Sequence, residues 1–135
     1  VGLLAIEMFL TKDGKLLVNE IAPRTHNSGH QTIEGNVTSQ FEQHLRAILD
    51  LPLGDTSTTS PSAMINVLGE DGFTGNAKYE GMSNILSKKG VHPHLYGKKL
   101  TKPFRKMGHV TITGNDMNEL REKVNYVKAT LKVKA

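Results

Sequence analysis

The sequence has no cysteine, no tryptophan and no long hydrophobic run. Without cysteine, the chain cannot contain a disulfide framework, a thiolate metal site or a cysteine nucleophile. No apolar run approaches the roughly 20 residues that a transmembrane helix requires, and we expect no contact with a membrane. The lack of cysteine is compatible with a reducing compartment, and we expect a cytoplasmic location. The 135 residues, 37% of them hydrophobic and 22% charged, exclude a disordered or collagen-like chain.

The first residues lack an initiating methionine and a basic segment. Val1–Ile6 is an apolar stretch that is typical of a buried strand, and no small-residue cleavage site of a signal peptide follows it. We therefore expect the chain to start inside a larger protein and to carry only part of that protein's function.

Acidic residues are absent from residues 81–115, which contain seven lysines and arginines and three histidines. The net charge of the whole chain is +4. A segment with one sign of charge favours an anionic partner, such as a phosphorylated metabolite or a nucleic acid. The alternative is a solvated basic face without a specific ligand.

Turn signals and apolar periodicity predict a hairpin at the start of the chain. Apolar strands over 1–10 and 16–22 flank Asp13-Gly14, a sequence typical of a two-residue turn. The first strand is apolar on both faces apart from Glu7, so we expect it to be covered on both sides.

The rest of the chain is predicted to alternate helices and short strands. The expected elements are a polar loop over 24–36, a helix with a capping box at Ser39 and Glu42 that stops at Pro52, strands 63–68, 91–96 and 108–113, and an amphipathic helix over 116–131.

Two glutamates interrupt the apolar strands of the hairpin. With a two-residue turn, Glu7 lies directly opposite Glu20, and their Cβ atoms are about 4.5–5.5 Å apart. Two carboxylates at about 4 Å repel each other by roughly 4 kcal/mol at an effective dielectric of about 20. A shared proton, a basic residue or a divalent cation must offset this repulsion. Because hard oxygen ligands suit Mg²⁺ and Mn²⁺, we predict a site for one of these cations.

A second interpretation of the glutamates is a longer turn with a shifted register, which would leave them unrelated. The residues that follow support a functional site instead. If the backbone stays extended, Arg24 and His26 continue on the face of Glu20, and Asn27 and Ser28 come next. Arginine suits bidentate binding of carboxylate, carbonate or phosphate, and histidine suits proton transfer near neutral pH.

Two separated blocks of the sequence carry a family resemblance. The first is NEIAPRTHNSGH at 19–30 with SQFEQHLR at 39–46, and the second is HLYGK at 94–98 with RKMGH at 105–109. In this order the blocks closely resemble the N5-carboxyaminoimidazole ribonucleotide synthases, which are ATP-grasp enzymes of purine biosynthesis. The resemblance covers essentially the whole chain, which would correspond to the last third of such an enzyme.

The resemblance implies a ligase that carboxylates 5-aminoimidazole ribonucleotide with bicarbonate, through carboxyphosphate and with cleavage of ATP. Glu7 and Glu20 would bind Mg²⁺ (or Mn²⁺) at the ATP phosphates, with Asn19 on the nucleotide side. The other implied contacts are Arg24 and His26 with bicarbonate, carboxyphosphate and the aminoimidazole, Asn27 and Ser28 with the ribonucleotide, and Lys98 and Arg105 with its phosphate.

The implied fold is of the α+β class. It consists of the C-terminal part of an ATP-grasp domain (hairpin, loop and helix, 1–53), a linker (54–62) and a small β-rich C-terminal domain with a terminal helix (63–135). The implied partners are the small-molecule substrates, the remainder of the enzyme chain, and a second copy of the intact enzyme in a homodimer. The sequence contains no Gly-rich phosphate loop, so we expect the chain alone to be inactive.

Two positions depart from the family pattern, and three alternatives stay open. Ala22 stands where related enzymes often have a metal-binding asparagine, and Lys102 where many relatives have an arginine that is the better phosphate clamp. The alternatives are the formate-using glycinamide ribonucleotide transformylase, a nucleic-acid module built on 88–106 with Tyr96 and Phe104 as its only stacking residues, and a metal site at His92, His94 and His109. We expect no nucleic-acid partner.

Overall fold

The computed structural model describes all residues from 1 to 135. The chain falls into two compact units: Val1–Thr58, called here the hairpin unit, and Thr59–Ala135, called the sheet unit. The division between them falls inside the segment expected to be a linker, at 54–62. The assignment of the two units as separate domains stays a prediction.

The hairpin unit combines one antiparallel hairpin with three helical segments. Strand β1 (Ala5–Leu10) pairs with strand β2 (Leu16–Ala22). The helical segments are a 3-10 helix (Asn27–Gln31), α1 (Thr32–Gly35) and α2 (Gln40–Ile48). The expected polar loop over 24–36 is therefore partly helical. The Thr32 hydroxyl donates to the Gly29 carbonyl at 2.6 Å and closes a turn that the polar composition of the segment does not predict.

The turn of the hairpin is one residue longer than the sequence predicts. The Thr11 amide donates to the Lys15 carbonyl (2.9 Å) and the Gly14 amide to the Thr11 carbonyl (3.0 Å), so residues 12–14 form the loop. Gly14 has a φ of +83°, the left-handed conformation that a three-residue hairpin loop requires at its last position. The Thr11 hydroxyl supports this loop by donating to Asp13 Oδ1 (2.5 Å) and accepting from the Lys15 amide (2.9 Å). The expected two-residue turn is wrong.

A β-bulge in β2 compensates for the longer turn. Near the turn, Met8 lies opposite Val18, which is one residue away from the predicted register. The ladder shifts between Glu7 and Met8, so Asn19 is the extra residue and Glu7 lies opposite Glu20. The predicted opposition of the two glutamates is confirmed. The longer turn shifts the register by one residue, and the bulge at Asn19 shifts it back.

The hairpin is more exposed than its composition predicts. We expected β1 to be covered on both faces, but one face of the hairpin consists entirely of apolar side chains that are each at least 49% exposed. These residues are Ile6, Met8, Leu10, Leu16, Val18 and Ile21. The expectation of two covered faces is wrong for this chain because no element of the hairpin unit packs on this face.

Helix α2 begins at its predicted cap and ends at Ile48, before the predicted stop at Pro52. The Ser39 hydroxyl accepts a hydrogen bond from the Glu42 amide at 3.1 Å, which caps the first turn. The Glu42 carboxylate binds Arg46 instead of returning to the Ser39 amide, so only half of the predicted capping box forms. Asp50, in a left-handed conformation (φ 54°), ends the helical path before Pro52.

The sheet unit is built on a three-stranded antiparallel sheet. The elements in chain order are β3 (Ser62–Leu68), β4 (Gly75–Asn76), β5 (Lys78–Glu80), α3 (Met82–Leu86), β6 (Val91–Leu95), β7 (Leu100–Thr101), β8 (Lys106–Thr113), α4 (Met117–Thr130) and β9 (Lys132–Lys134). Strand β8 lies in the centre between β3 and β6, and the pairs β4–β7 and β5–β9 form two small separate sheets. Strands β3, β6 and β8 and helix α4 are confirmed to within two residues of their predicted ends.

The core of the sheet unit lies between the central strand and the helices. Met107, Val110 and Ile112 of β8 are completely buried, as is Ile85 of α3, and Val127 of α4 is nearly so. The expected terminal helix is not terminal, because β9 follows α4 and pairs with β5. Strands of two or three residues show no periodicity that could reveal them in the sequence. None of the helices combines the length and hydrophobicity needed to cross a membrane.

Candidate active site

The hairpin and the segment after it bring two carboxylates and an imidazole together. Glu7 on β1 and Glu20 on β2 lie on the same face, and His26 lies between them. His26 Nδ1 is 2.5 Å from Glu7 Oε1, and His26 Nε2 contacts Glu20 Oε1. One ligand atom from each residue lies within 4.8 Å of the other two. The predicted position of His26 beside Glu20 is thus confirmed, although the backbone bends at Pro23 and Arg24 instead of staying extended.

Two neighbouring carboxylates repel each other, and a basic side chain such as that of His26 between them offsets that repulsion. A divalent cation would do the same. Two carboxylate oxygens fit Mg²⁺, and the addition of an imidazole nitrogen also fits Mn²⁺. The Glu20 side chain is 52% exposed, so the group can be reached from solvent.

The bulge at Asn19 brings the side chain of this residue next to Glu7. The Asn19 amide nitrogen lies 3.5 Å from Glu7 Oε2 and donates a long hydrogen bond to it. In a regular ladder, residues 19 and 20 would point to opposite faces of the sheet. Because Asn19 is the extra residue of the bulge, its side chain reaches the face that carries the glutamates.

Arg24 does not join the carboxylates. Its guanidinium donates to the Thr25 carbonyl at 3.1 Å, and the side chain is exposed. Asn27 and Ser28 form the first turn of the 3-10 helix directly after His26. This turn is packed tightly, because a Cβ atom at Gly29 would lie 2.2 Å from Gln40 Oε1. The backbone at Gly29, directly after Asn27 and Ser28, therefore packs against the start of α2.

The two predicted phosphate contacts lie in the sheet unit, in the loop between β6 and β8. Lys98 Nζ donates to the Lys106 carbonyl at 2.5 Å, and Arg105 Nη1 donates to the Leu100 carbonyl at 3.1 Å. Neither cation is paired with a carboxylate. A turn closed by the bond from the Arg105 amide to the Lys102 carbonyl (3.1 Å) presents Arg105 at the surface.

The three histidines of the sheet unit do not form a metal site. His94 and His109 stack with their ring centroids 4.5 Å apart and their planes 13° apart. His109 Nδ1 is 3.0 Å from the Tyr96 hydroxyl, with which it shares a hydrogen bond. The only cluster of three metal-binding side chains in the chain is that of Glu7, Glu20 and His26. The contact of Tyr96 with His109 was not predicted, although both residues belong to the second sequence block.

Comparison with known proteins finds a different family match in each of the two units. The ATP-grasp domain family matches residues 1–41, and the family described as the phosphoribosylaminoimidazole carboxylase C-terminal domain matches residues 62–123. An N5-carboxyaminoimidazole ribonucleotide synthase from Aquifex aeolicus is 47% identical over 134 residues, which cover 98% of this chain and 34% of the relative. The crystal structure of the synthetase from Thermotoga maritima is 54% identical, with a TM-score of 0.94 over all of this chain and 38% of that one.

Nearly the whole chain is similar to the N5-carboxyaminoimidazole ribonucleotide synthases. The predicted family resemblance and the predicted α+β architecture, with helices and strands in both units, are confirmed. A further structure of the family, from Aspergillus clavatus in complex with ADP and 5-aminoimidazole ribonucleotide, is 39% identical with a TM-score of 0.81 over 95% of this chain and 34% of that one. The chain spans about a third of the length of the curated synthases that it matches first.

The two family matches divide the candidate residues between them. Glu7, Glu20 and His26 fall in the ATP-grasp match, whereas Lys98 and Arg105 fall in the match to the carboxylase C-terminal domain.

Proposed function

We propose that the chain is the part of an ATP-dependent ligase that carries the cation-binding carboxylates and the phosphate-binding loop. The enzyme would carboxylate 5-aminoimidazole ribonucleotide with bicarbonate to N5-carboxyaminoimidazole ribonucleotide in purine biosynthesis. The observation that carries this proposal is the convergence of Glu7 and Glu20 across the hairpin in the segment that matches an ATP-grasp domain. Because the chain is about a third as long as its relatives, the whole activity requires the remainder of the enzyme.

Glu7 and Glu20 are the residues proposed to hold Mg²⁺ or Mn²⁺, with Asn19 beside them on the nucleotide side. Such a cation neutralises charge on the ATP phosphates during phosphoryl transfer. The carboxylates face each other and are open to solvent, as a cation shared between protein and nucleotide requires. Asn19 orients Glu7 by its amide contact.

Arg24 and His26 are proposed to act on bicarbonate, carboxyphosphate and the aminoimidazole. A guanidinium binds carbonate and phosphate oxygens in pairs, and an imidazole moves or holds a proton near neutral pH. His26 either takes up a proton or only orients bicarbonate. A His26→Gln variant of the intact enzyme that keeps near-normal turnover would exclude the first of these roles.

The remaining proposed contacts are with the ribonucleotide substrate. Asn27 and Ser28 begin the fixed turn after His26 and offer an amide and a hydroxyl. Lys98 and Arg105 supply unpaired cations for the phosphate. The Aspergillus relative was crystallised with 5-aminoimidazole ribonucleotide and ADP, which supports the substrate class. The homodimer, the cytoplasmic location and the division into domains at 53 and 63 are further parts of the proposal.

The function can be tested in a chimera that replaces the corresponding third of the Thermotoga enzyme with this chain. We expect the chimera to consume 5-aminoimidazole ribonucleotide in a reaction that needs both ATP and bicarbonate, and we expect the 135-residue chain alone to be inactive. A Glu20→Gln chimera should lose about 100-fold or more in kcat, as expected when a charge-stabilising group is removed.

The matched control is Glu122→Gln, which neutralises an exposed glutamate of α4 outside the site. A folded chimera that binds ATP but does not carboxylate the substrate would contradict the proposed function. Robust ATP-dependent carboxylation by the isolated chain would contradict the requirement for the rest of the enzyme.

A further inference from the structure

A buried histidine forms a hydrogen bond with the tyrosine at the start of the loop between β6 and β8, called here the basic loop (residues 96–105). His109 lies on the central strand β8, is only 3% exposed and stacks against His94 of the neighbouring strand. Its Nδ1 atom and the Tyr96 hydroxyl are 3.0 Å apart. Because the imidazole is enclosed by the sheet, it gives the Tyr96 hydroxyl a fixed partner. Burial also raises the pKa of Tyr96 above its ordinary value of 10.0.

The same tyrosine lies beneath the ammonium group of Lys98. Lys98 Nζ is 5.6 Å from the centroid of the Tyr96 ring, within reach of a cation–π interaction, and donates to the Lys106 carbonyl at 2.5 Å. Between the two residues, Gly97 has a φ of +67°, so the chain turns back at this point. The ammonium is therefore held between an aromatic ring and a carbonyl on β8, immediately after Arg105.

We infer that Tyr96 and His109 are positioning residues that fix Lys98 for the phosphate of the substrate. This inference rests on the proposed function, in which Lys98 contacts that phosphate. A lysine side chain is a flexible four-carbon stem, and a phosphate that must order it loses affinity. The sheet orders His109, His109 orders the Tyr96 ring, and the ring and the Lys106 carbonyl order the ammonium before the phosphate arrives.

A purely structural role for the pair makes a different prediction. If Tyr96 only filled space, removing its hydroxyl would affect folding and leave the mobility of Lys98 unchanged. The Tyr96 ring is 38% exposed, and Tyr96→Phe keeps the ring, so this variant separates positioning from packing. Tyr126→Phe is a matched control. Lys88 Nζ lies over the Tyr126 ring, 4.9 Å from its centroid, so the two tyrosines make the same kind of contact. Tyr126 is on α4, outside the basic loop.

The experiment measures the Lys98 ammonium directly in the full chain by ¹⁵N NMR of the lysine side chains, without any ligand. We expect Tyr96→Phe to raise the exchange rate of the Lys98 ammonium protons with water by about three- to ten-fold, the size of effect expected for the loss of one hydrogen bond. Tyr126→Phe should leave this rate unchanged.

A titration with ribose 5-phosphate then tests whether the ordering serves phosphate binding. Tyr96→Phe should weaken binding by about three- to ten-fold, and Lys98→Met should weaken it at least as much. In the Lys98→Met background, Tyr96→Phe should have no further effect, because the tyrosine acts only through the lysine.

The outcomes separate the inference from the proposed function. An unchanged exchange rate of Lys98 in Tyr96→Phe, or additive effects in the double variant, overturns the positioning role while Lys98 keeps its phosphate role. If the chain does not bind ribose 5-phosphate, or if Lys98→Met leaves the affinity unchanged, the proposed phosphate contact is wrong and the inference fails with it.

Discussion

Glu7 and Glu20 lie opposite each other across the hairpin, although the strands nearer the turn are paired one residue out of the register that a two-residue turn would give. The bulge at Asn19 makes this possible. It restores the alignment at the position where the carboxylates meet and turns an amide toward Glu7. The cation site that we propose depends on this local irregularity as much as on the two glutamates.

Removal of either carboxylate should weaken cation binding. Glu20→Gln keeps the shape of the side chain but removes a charge, so we expect the affinity for Mn²⁺ to fall by about ten-fold or more. Isothermal titration calorimetry or Mn²⁺ electron paramagnetic resonance on the full chain would measure this effect. Glu122→Gln is the control and should bind Mn²⁺ as the unaltered chain does. Equal affinities for Glu20→Gln and the unaltered chain would exclude the site.

The apolar face of the hairpin should make the isolated chain self-associate. Exposed strands of this kind pair with other chains, and a charge on the strand discourages such pairing. We expect Val18→Lys to lower the apparent mass of the chain in light-scattering measurements at high concentration. Leu53→Lys, which changes a residue of the hairpin unit that is 70% exposed outside the strands, should have a smaller effect. Identical masses for Val18→Lys and the unaltered chain would show that this face does not drive association.

The turn before Arg105 contains backbone strain that glycine would remove. Phe104 has a φ of 62°, is 70% exposed and lies at the third position of the turn closed by Lys102 and Arg105. An L-residue in this conformation costs about 1–2 kcal/mol, and the greater freedom of an unfolded glycine offsets about 0.5–1 kcal/mol of the gain. We therefore expect Phe104→Gly to raise the free energy of unfolding by about 0.5–1 kcal/mol in urea denaturation.

Phe104→Ala is the control for this substitution. It removes the aromatic ring but keeps the Cβ atom that causes the strain, so we expect no stabilisation. A stabilisation of Phe104→Ala equal to that of Phe104→Gly would assign the effect to the exposed ring instead of the backbone.

The start of α4 should contribute a stability that disappears in acid. The hydrogen bond from Lys123 and that from the Asn115 amide lower the pKa of Glu119 from its ordinary value of 4.5. Because the folded pKa is lower than the unfolded one, this contribution is complete above pH 4.5 and is lost as the pH falls through the folded pKa. Glu119→Gln should therefore be less stable than the unaltered chain at neutral pH, and the difference should shrink below pH 4.5.

Thermal unfolding of both proteins between pH 3 and 7, roughly the interval over which a carboxyl group titrates, would measure this difference. A difference that stays constant across the interval would show that Glu119 acts through packing or helix propensity and not through its charge.

Regular periodicity and side-chain caps were predictable from the sequence. The amphipathic pattern of α4 and the Ser39 cap of α2 are local properties, and the structure reproduces both. The turn was not predictable, because Asp13-Gly14 satisfies both a two-residue and a three-residue loop. The Thr11 hydroxyl favours the three-residue loop, because it donates to the Asp13 carboxylate and accepts from the Lys15 amide.

The opposition of Glu7 and Glu20 was predictable from the sequence, whereas the contacts of the side chains around them were not. The glutamates are separated by a short hairpin, so their meeting depends on few bond rotations. His26 follows a proline and a segment without periodicity, and its final contact with both carboxylates depends on how the 3-10 helix packs against α2. The contact of Tyr96 with His109 depends on strand registers more than ten residues apart, which no local pattern encodes.

The irregularity at Asn19 also separates the tip of the hairpin from its base. The bulge absorbs the one-residue offset that the three-residue loop creates, so Glu7 and Glu20 are partners in spite of it. Nothing lies within 4 Å of the space that a side chain at Gly14 would occupy. Residues 12–14 are therefore a suitable place to insert a fluorescent label or an affinity peptide without disturbing the chemistry at the other end of the strands.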